Sequence, residues 1–187
     1  MAALSPPLCD FGWRAPDFSL PGVDGQIHSL ASVKGESGFL LMFICNHCPY
    51  VLAILPRLVA DCRSLQALGV GVAAIMSNDT KAYPEDSFER MAILARELNF
   101  SFPYLYDENQ AVARAYDAVC TPDFFGFNAE GALQYRGRFD ASGMNARAVP
   151  GNVKSDLLVA MTEVANTGHG PKTQQASIGC SLKWRPK

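Results

Sequence analysis

The sequence predicts a three-layer α/β domain, preceded by a β-hairpin and followed by a C-terminal tail. Three observations predict it. Two short apolar runs bounded by turn residues, 39–44 and 70–77, read as buried strands. The segment between them has the spacing of an amphipathic helix. A closing pair of strands and a last helix finish the pattern, as expected of one sheet with both faces covered.

Residues 1–16 carry three prolines and little periodicity, so an irregular leader is expected, 1–11 lying outside the domain proper. Residues 18–20 and 26–30 flank the turn Pro21-Gly22-Val23-Asp24-Gly25 and predict a hairpin. The run 39–44 is too short for an ordinary helix and reads as the central strand. Over 50–68, Val51, Leu52, Leu55, Leu58, Val59, Cys62 and Leu65 recur at three and four spacing, with Pro56 removing one backbone hydrogen bond from within. After the strand at 70–77, a helix is predicted over 87–98, a short strand over 104–106 and a helix over 110–116. Residues 124–127 and 133–139 flank a turn and form a second hairpin. A helix over 153–166 closes the domain, which spans 12–166. The tail, 167–187, reads as flexible and basic, with Lys172, Lys183, Arg185 and Lys187. Its stretch 178–184 is too apolar for a pure linker, and Trp184 is expected to find a surface.

Length fits one domain: 187 residues bury a sizeable core without staples. A net charge of -2, mixed along the chain, argues against a nucleic-acid surface. No apolar run approaches the ~20 residues that span a bilayer, and the first residues lack the basic start of a signal peptide. A cytoplasmic protein without a membrane partner is expected. Cys9, Cys45, Cys48, Cys62, Cys120 and Cys180 are too sparse for a disulfide scaffold and suggest a few working thiols. Cys62 reads as a small buried hydrophobe.

The most informative stretch is Cys45-Asn46-His47-Cys48-Pro49, where the central strand ends and a helix begins. Proline is favoured at the first helical position, which makes Cys48 the cap. Unpaired N–H groups and the helix dipole then face its sulfur and favour thiolate, which can bring a cysteine from ~8.5 to roughly 3.5–7.5. Cys45 lies within reach to attack a mixed disulfide at Cys48 or to pair with it. His47, if protonated, would favour neighbouring thiolates; its bland alternative is a solvated loop residue.

These features, with Ala15-Pro16-Asp17-Phe18, Pro56 eight residues beyond Cys48, and Thr121-Pro122 before an apolar strand, resemble the thioredoxin-like superfamily. The similarity is to the peroxiredoxin-like branch (AhpC/TSA, redoxin) together with the TlpA-type redoxins, and covers about residues 12–165. It implies a three-layer thioredoxin-like fold and a cis-proline loop at Pro122 lying against the active cysteine. Thr121 and Pro122 would then present backbone groups to an extended substrate, and Cys120 would come near Cys48. The sequence also departs from the family. Val51 stands where thioredoxins place the second cysteine, and Leu41 and Cys45 stand where peroxiredoxins have the proline and threonine that activate peroxide.

The resemblance implies a thiol-disulfide oxidoreductase with Cys48 as nucleophile and Cys45, or Cys120, resolving the mixed disulfide. Thr121, Pro122 and His47 are the substrate-binding candidates. A protein or small-molecule disulfide is the expected substrate and a cellular dithiol the reductant; no cofactor is implied, and only weak peroxidase activity is expected. The rival reading is Zn or Cu(I) binding or delivery through Cys45, His47 and Cys48. Cys180 is a candidate resolving thiol if the tail folds back, or a contact in a homodimer, though an incidental cysteine in a docking segment is the plainer reading. Arg136 and Arg138 read as one solvated edge of the last strand. Asp79, Glu85, Asp86 and Glu89 read as a solvated loop and helix start.

Overall fold

The computed structural model describes residues 3–148 and 154–186. In chain order they form β1 (Ala3–Leu4), β2 (Ser19–Pro21), β3 (Ile27–Ser29), α1 (Leu30–Val33), β4 (Gly38–Phe43) and α2 (Pro49–Gln66). There follow β5 (Val70–Met76), a 3-10 turn at Pro84–Asp86, α3 (Phe88–Glu97), β6 (Tyr104–Tyr106) and α4 (Ala111–Ala115). The chain continues through β7 (Cys120–Thr121), β8 (Asp123–Phe127), β9 (Leu133–Tyr135), a 3-10 stretch at Gly143–Ala148, α5 (Asp156–Thr167) and β10 (Gly179–Ser181). Val153, the expected start of the last helix, and Lys187 lie outside the described residues; Ser155 caps α5 by accepting from the Leu158 N–H at 3.0 Å.

The main sheet has the order β6-β5-β4-β8-β9. β4 pairs parallel with β5 and antiparallel with β8, so it is central and every one of its residues is buried. That double coverage is why it reads as a continuous apolar run rather than an alternation. Leu40, Met42 and Ile44 face a core shared with α2, α3 and α5; Phe39, Leu41 and Phe43 face the other, with α1, α4 and the hairpin strand β2. The three layers follow from this alternation. The short strand expected at 104–106 forms the sheet edge as β6, parallel to β5.

Two readings change. The second hairpin strand stops at Tyr135, and Arg136 and Arg138 lie beyond it. Arg136 is buried, with Nη2 donating to the Asp117 carbonyl (2.7 Å) and to Asp123 (3.2 Å) and its guanidinium over the Phe125 ring at 4.4 Å. Arg138, less buried, pairs with Asp156 at 2.7 Å. A shared solvated edge is therefore excluded for this pair.

The tail is also tied down rather than free. β10 lies between β1 and β7 in a second, three-stranded sheet, pairing antiparallel with both. Beyond it, the Lys183 N–H donates to Asn78 (2.9 Å), the Lys183 carbonyl accepts from the Asp79 N–H (2.8 Å) and from Gln110 Nε2 (2.8 Å), and Trp184 packs under the Arg114 guanidinium at 4.4 Å. No helix among the described residues is long and apolar enough to cross a membrane.

Candidate active site

β4 delivers the cysteine loop and α2 fixes its end. Cys48 is the N-cap, in an extended conformation, with Pro49 at the first helical position and the Leu52 N–H bonded to the Cys48 carbonyl at 2.9 Å. Pro56 sits inside the helix. Opposite Cys48 lies the segment between β7 and β8, where the Thr121–Pro122 peptide is cis.

Cys48 is fully buried. As a thiol it makes no capping bond and donates to the Thr121 carbonyl at 3.0 Å. As a thiolate it loses that bond and meets other donors. The Cys45 thiol is the strongest, and the Val51 N–H of the first helical turn and the Cys180 thiol and N–H also favour the anion. Together they outweigh burial and hold Cys48 at about 5. Cys45 stays protonated for the reciprocal reason: it donates to Cys48, and burial pushes its thiol well above the usual range. Its sulfur also lies 3.4 Å from the Thr121 hydroxyl.

Cys120 and Thr121 are neighbours on β7, so their side chains leave the strand on opposite faces. Thr121 faces the sulfurs. The Cys120 thiol instead donates to the Pro122 carbonyl at 3.5 Å, and burial, then the charge of Asp123, raises it. Cys180, for which an incidental cysteine is the plainer sequence reading and a resolving thiol the alternative, lies in the same buried cluster as Cys48. It stands directly across from Thr121 in the β7–β10 ladder, and its thiol is among the groups that favour the Cys48 anion. A three-residue strand of Gly, Cys and Ser carries no periodic signal that could have placed it.

His47 sits beside Cys45 and pairs with Asp86. Its Nδ1 lies 2.9 Å from the Asp86 carboxylate and its ring stacks on Tyr83 at 5.7 Å. Asp86 is fully buried and accepts from the Asn46 N–H (2.8 Å) and Asn78 Nδ2 (2.8 Å). Asp79 is buried as well, so the solvated reading fails for both residues. Asp86 pins the cysteine loop, a role its helix-start surroundings in the sequence did not suggest. Ligand atoms of Cys45, His47 and Asp86 lie within 4.8 Å of one another. A groove of about 660 Å³ lined by Asn46, Pro84, Glu85 and residues of α3 runs beside this loop, but none of the sulfurs lines it.

A helix-capping cysteine set against a cis-proline loop, on this sheet order, defines a thioredoxin-like protein of the redoxin class. Comparison with known proteins agrees. An uncharacterized conserved protein from Geobacillus kaustophilus is 42% identical, over 100% of this chain and 98% of that one, with a TM-score of 0.92. A hypothetical protein from Sinorhizobium meliloti is 39% identical over 98% of each chain, with a TM-score of 0.87. A thiol:disulfide interchange protein of the thioredoxin family from Chlorobium tepidum, 20% identical over 66% of this chain and 83% of its own, shares the fold with a TM-score of 0.56. No curated protein matches the chain. The AhpC/TSA family pattern matches residues 11–136, and the chain belongs to the AhpC/TSA family.

Proposed function

We propose that this chain is a thiol-disulfide oxidoreductase whose nucleophile is Cys48. The observation that carries the reading is the placement of that sulfur at the start of α2, among the Cys45 thiol, the Cys180 thiol and the Val51 N–H, all of which favour its anion. The Cys48 thiolate attacks one sulfur of a substrate disulfide and expels the other as a thiolate. The Cys45 thiol, losing its proton, attacks the Cys48 sulfur, releases the second substrate thiol and leaves a Cys45–Cys48 disulfide. A cellular dithiol restores both thiols. A reducing compartment such as the cytoplasm suits this cycle. Peroxide is a poorer substrate, because a thiol at Cys45 replaces the threonine hydroxyl that peroxiredoxins use.

Reduction of insulin disulfides in the presence of dithiothreitol tests the reading. Wild type accelerates the reaction, and Cys48→Ser falls to the uncatalysed background. Equal rates for the two would refute it.

A second reading has one observation in its favour: the close approach of Cys45, His47 and Asp86. A thiolate, an imidazole and a carboxylate are all ligands that Zn accepts. The set differs from the one the sequence suggests, since Cys48 is outside it. Stoichiometric Zn in the purified protein, lost on His47→Ala, would support it; metal-free protein would exclude it.

A further inference from the structure

The residue that covers Cys48 is itself a thiol. β10 places Cys180 across from Thr121, whose carbonyl lies 3.0 Å from the Cys48 sulfur, and Cys48 and Cys180 pack in the same buried cluster. β10 is anchored on both edges. One edge is paired to β7 and the other to β1, Ser177 Oγ donates to the Pro122 carbonyl at 2.8 Å, and the segment after it is bonded to Asn78, Asp79 and Gln110. Gly179 has no room for a side chain, because a Cβ there would collide with the Thr121 carbonyl. The strand is thus fitted to the cis-proline loop residue by residue, with a sulfur at the position facing the nucleophile.

We propose that Cys180 is a redox partner of Cys48, and that the Cys48–Cys180 disulfide locks the tail strand over the active site. This rests on the assignment of Cys48 as a redox nucleophile. The oxidant is an organic disulfide, R–S–S–R. Cys48 thiolate attacks one of its sulfurs when β10 lifts, forming Cys48–S–S–R and expelling R–S⁻, which takes up a proton. Charge on Cys48 has then vanished, and with it part of what keeps Cys180 protonated: Cys180 is pushed up to about 11 first by burial and then by sharing its proton with the Cys48 anion. As the strand reseats, Cys180 loses its proton to solvent and attacks the Cys48 sulfur. The Cys48–Cys180 bond forms and the second R–S⁻ leaves. Two thiols are oxidised and one external disulfide is reduced. Cys45, packed in the same cluster as Cys48, is placed to attack this disulfide at Cys48, free Cys180 and let the strand lift.

Differential thiol mapping tests the proposal on the full chain. Wild type, Cys45→Ser and Cys180→Ser are each treated with one equivalent of glutathione disulfide, trapped with N-ethylmaleimide and mapped by peptide mass spectrometry. The expected result is a Cys48–Cys180 crosslink in wild type and as the main product of Cys45→Ser, where Cys45 cannot reopen it. Cys180→Ser should accumulate the Cys48–glutathione adduct or a Cys45–Cys48 bond. The wild-type and Cys45→Ser maps decide the question even if Cys180→Ser folds poorly. Oxidation of Cys48 with Cys180 left as a free thiol in both overturns this proposal while leaving Cys48 as nucleophile. No modification of Cys48 in any of the three overturns both assignments.

Discussion

In the proposed cycle Cys48 carries the chemistry because several donors converge on one sulfur. With the thiol held at about 5, the thiolate fraction rises through pH 5 and is nearly complete by neutrality. Alkylation of Cys48 by iodoacetamide should therefore rise through pH 5 and level off near pH 7, whereas an ordinary thiol keeps accelerating to about pH 9. Cys45→Ala removes the strongest donor and should move that midpoint upward, while Cys45→Ser, which keeps a donor, should move it less. The sign for stability follows from the same shift. A folded-state value below the unfolded one contributes stability that is fully present above the unfolded value and lost as pH falls through about 5. The difference in melting temperature between wild type and Cys48→Ser should accordingly widen in favour of wild type from pH 5 to pH 8. Capping by Cys48 was legible in the sequence, because Pro49 marks a helix start by local chemistry alone. The part played by Asp86 was not, since its partners Asn46, His47 and Asn78 are assembled by the fold.

At the scale of elements, the site is a meeting of α2, β7 and β10. β10 holds its place through backbone pairing and the absence of a side chain at Gly179. Gly179→Ala should unseat it, at a cost of about 1–3 kcal/mol in urea unfolding, and should speed Cys48 alkylation in the folded protein by uncovering the sulfur. A stabilised strand or unchanged alkylation would contradict the role given to β10. The expected helix at 50–68 and the strands at 39–44 and 70–77 appear almost as read, as α2, β4 and β5, because their patterns are long and strong. The last hairpin strand is shorter than expected because Arg136 leaves the ladder to reach Asp123 and the Asp117 carbonyl. Arg136→Ala strands a buried carboxylate and should cost about 3–5 kcal/mol in urea unfolding. A loss below 1 kcal/mol would show that Asp123 does not depend on it.

At the scale of the whole molecule, residues from both ends of the chain close over a site built by its middle. β1 pairs with β10, β10 with β7, and Trp184 is anchored under Arg114 on α4. The main strands and helices and the capping position of Cys48 were legible in the sequence, since strand and helix periods and an X-Pro motif are local. The sequence marked 178–184 as a docking segment by its apolar residues but not where that segment docks, because the partners are supplied by the fold. Asn78, Gln110 and Pro122 lie far upstream of it. The central claim is that Cys48 works as half of a reversible dithiol pair. Its most direct test is an equilibrium titration of the folded chain in glutathione buffers, read by intact mass after thiol trapping. The account predicts one two-electron transition that disappears in Cys48→Ser. A wild-type chain that stays fully reduced across the series, or a transition that survives in Cys48→Ser, would contradict it.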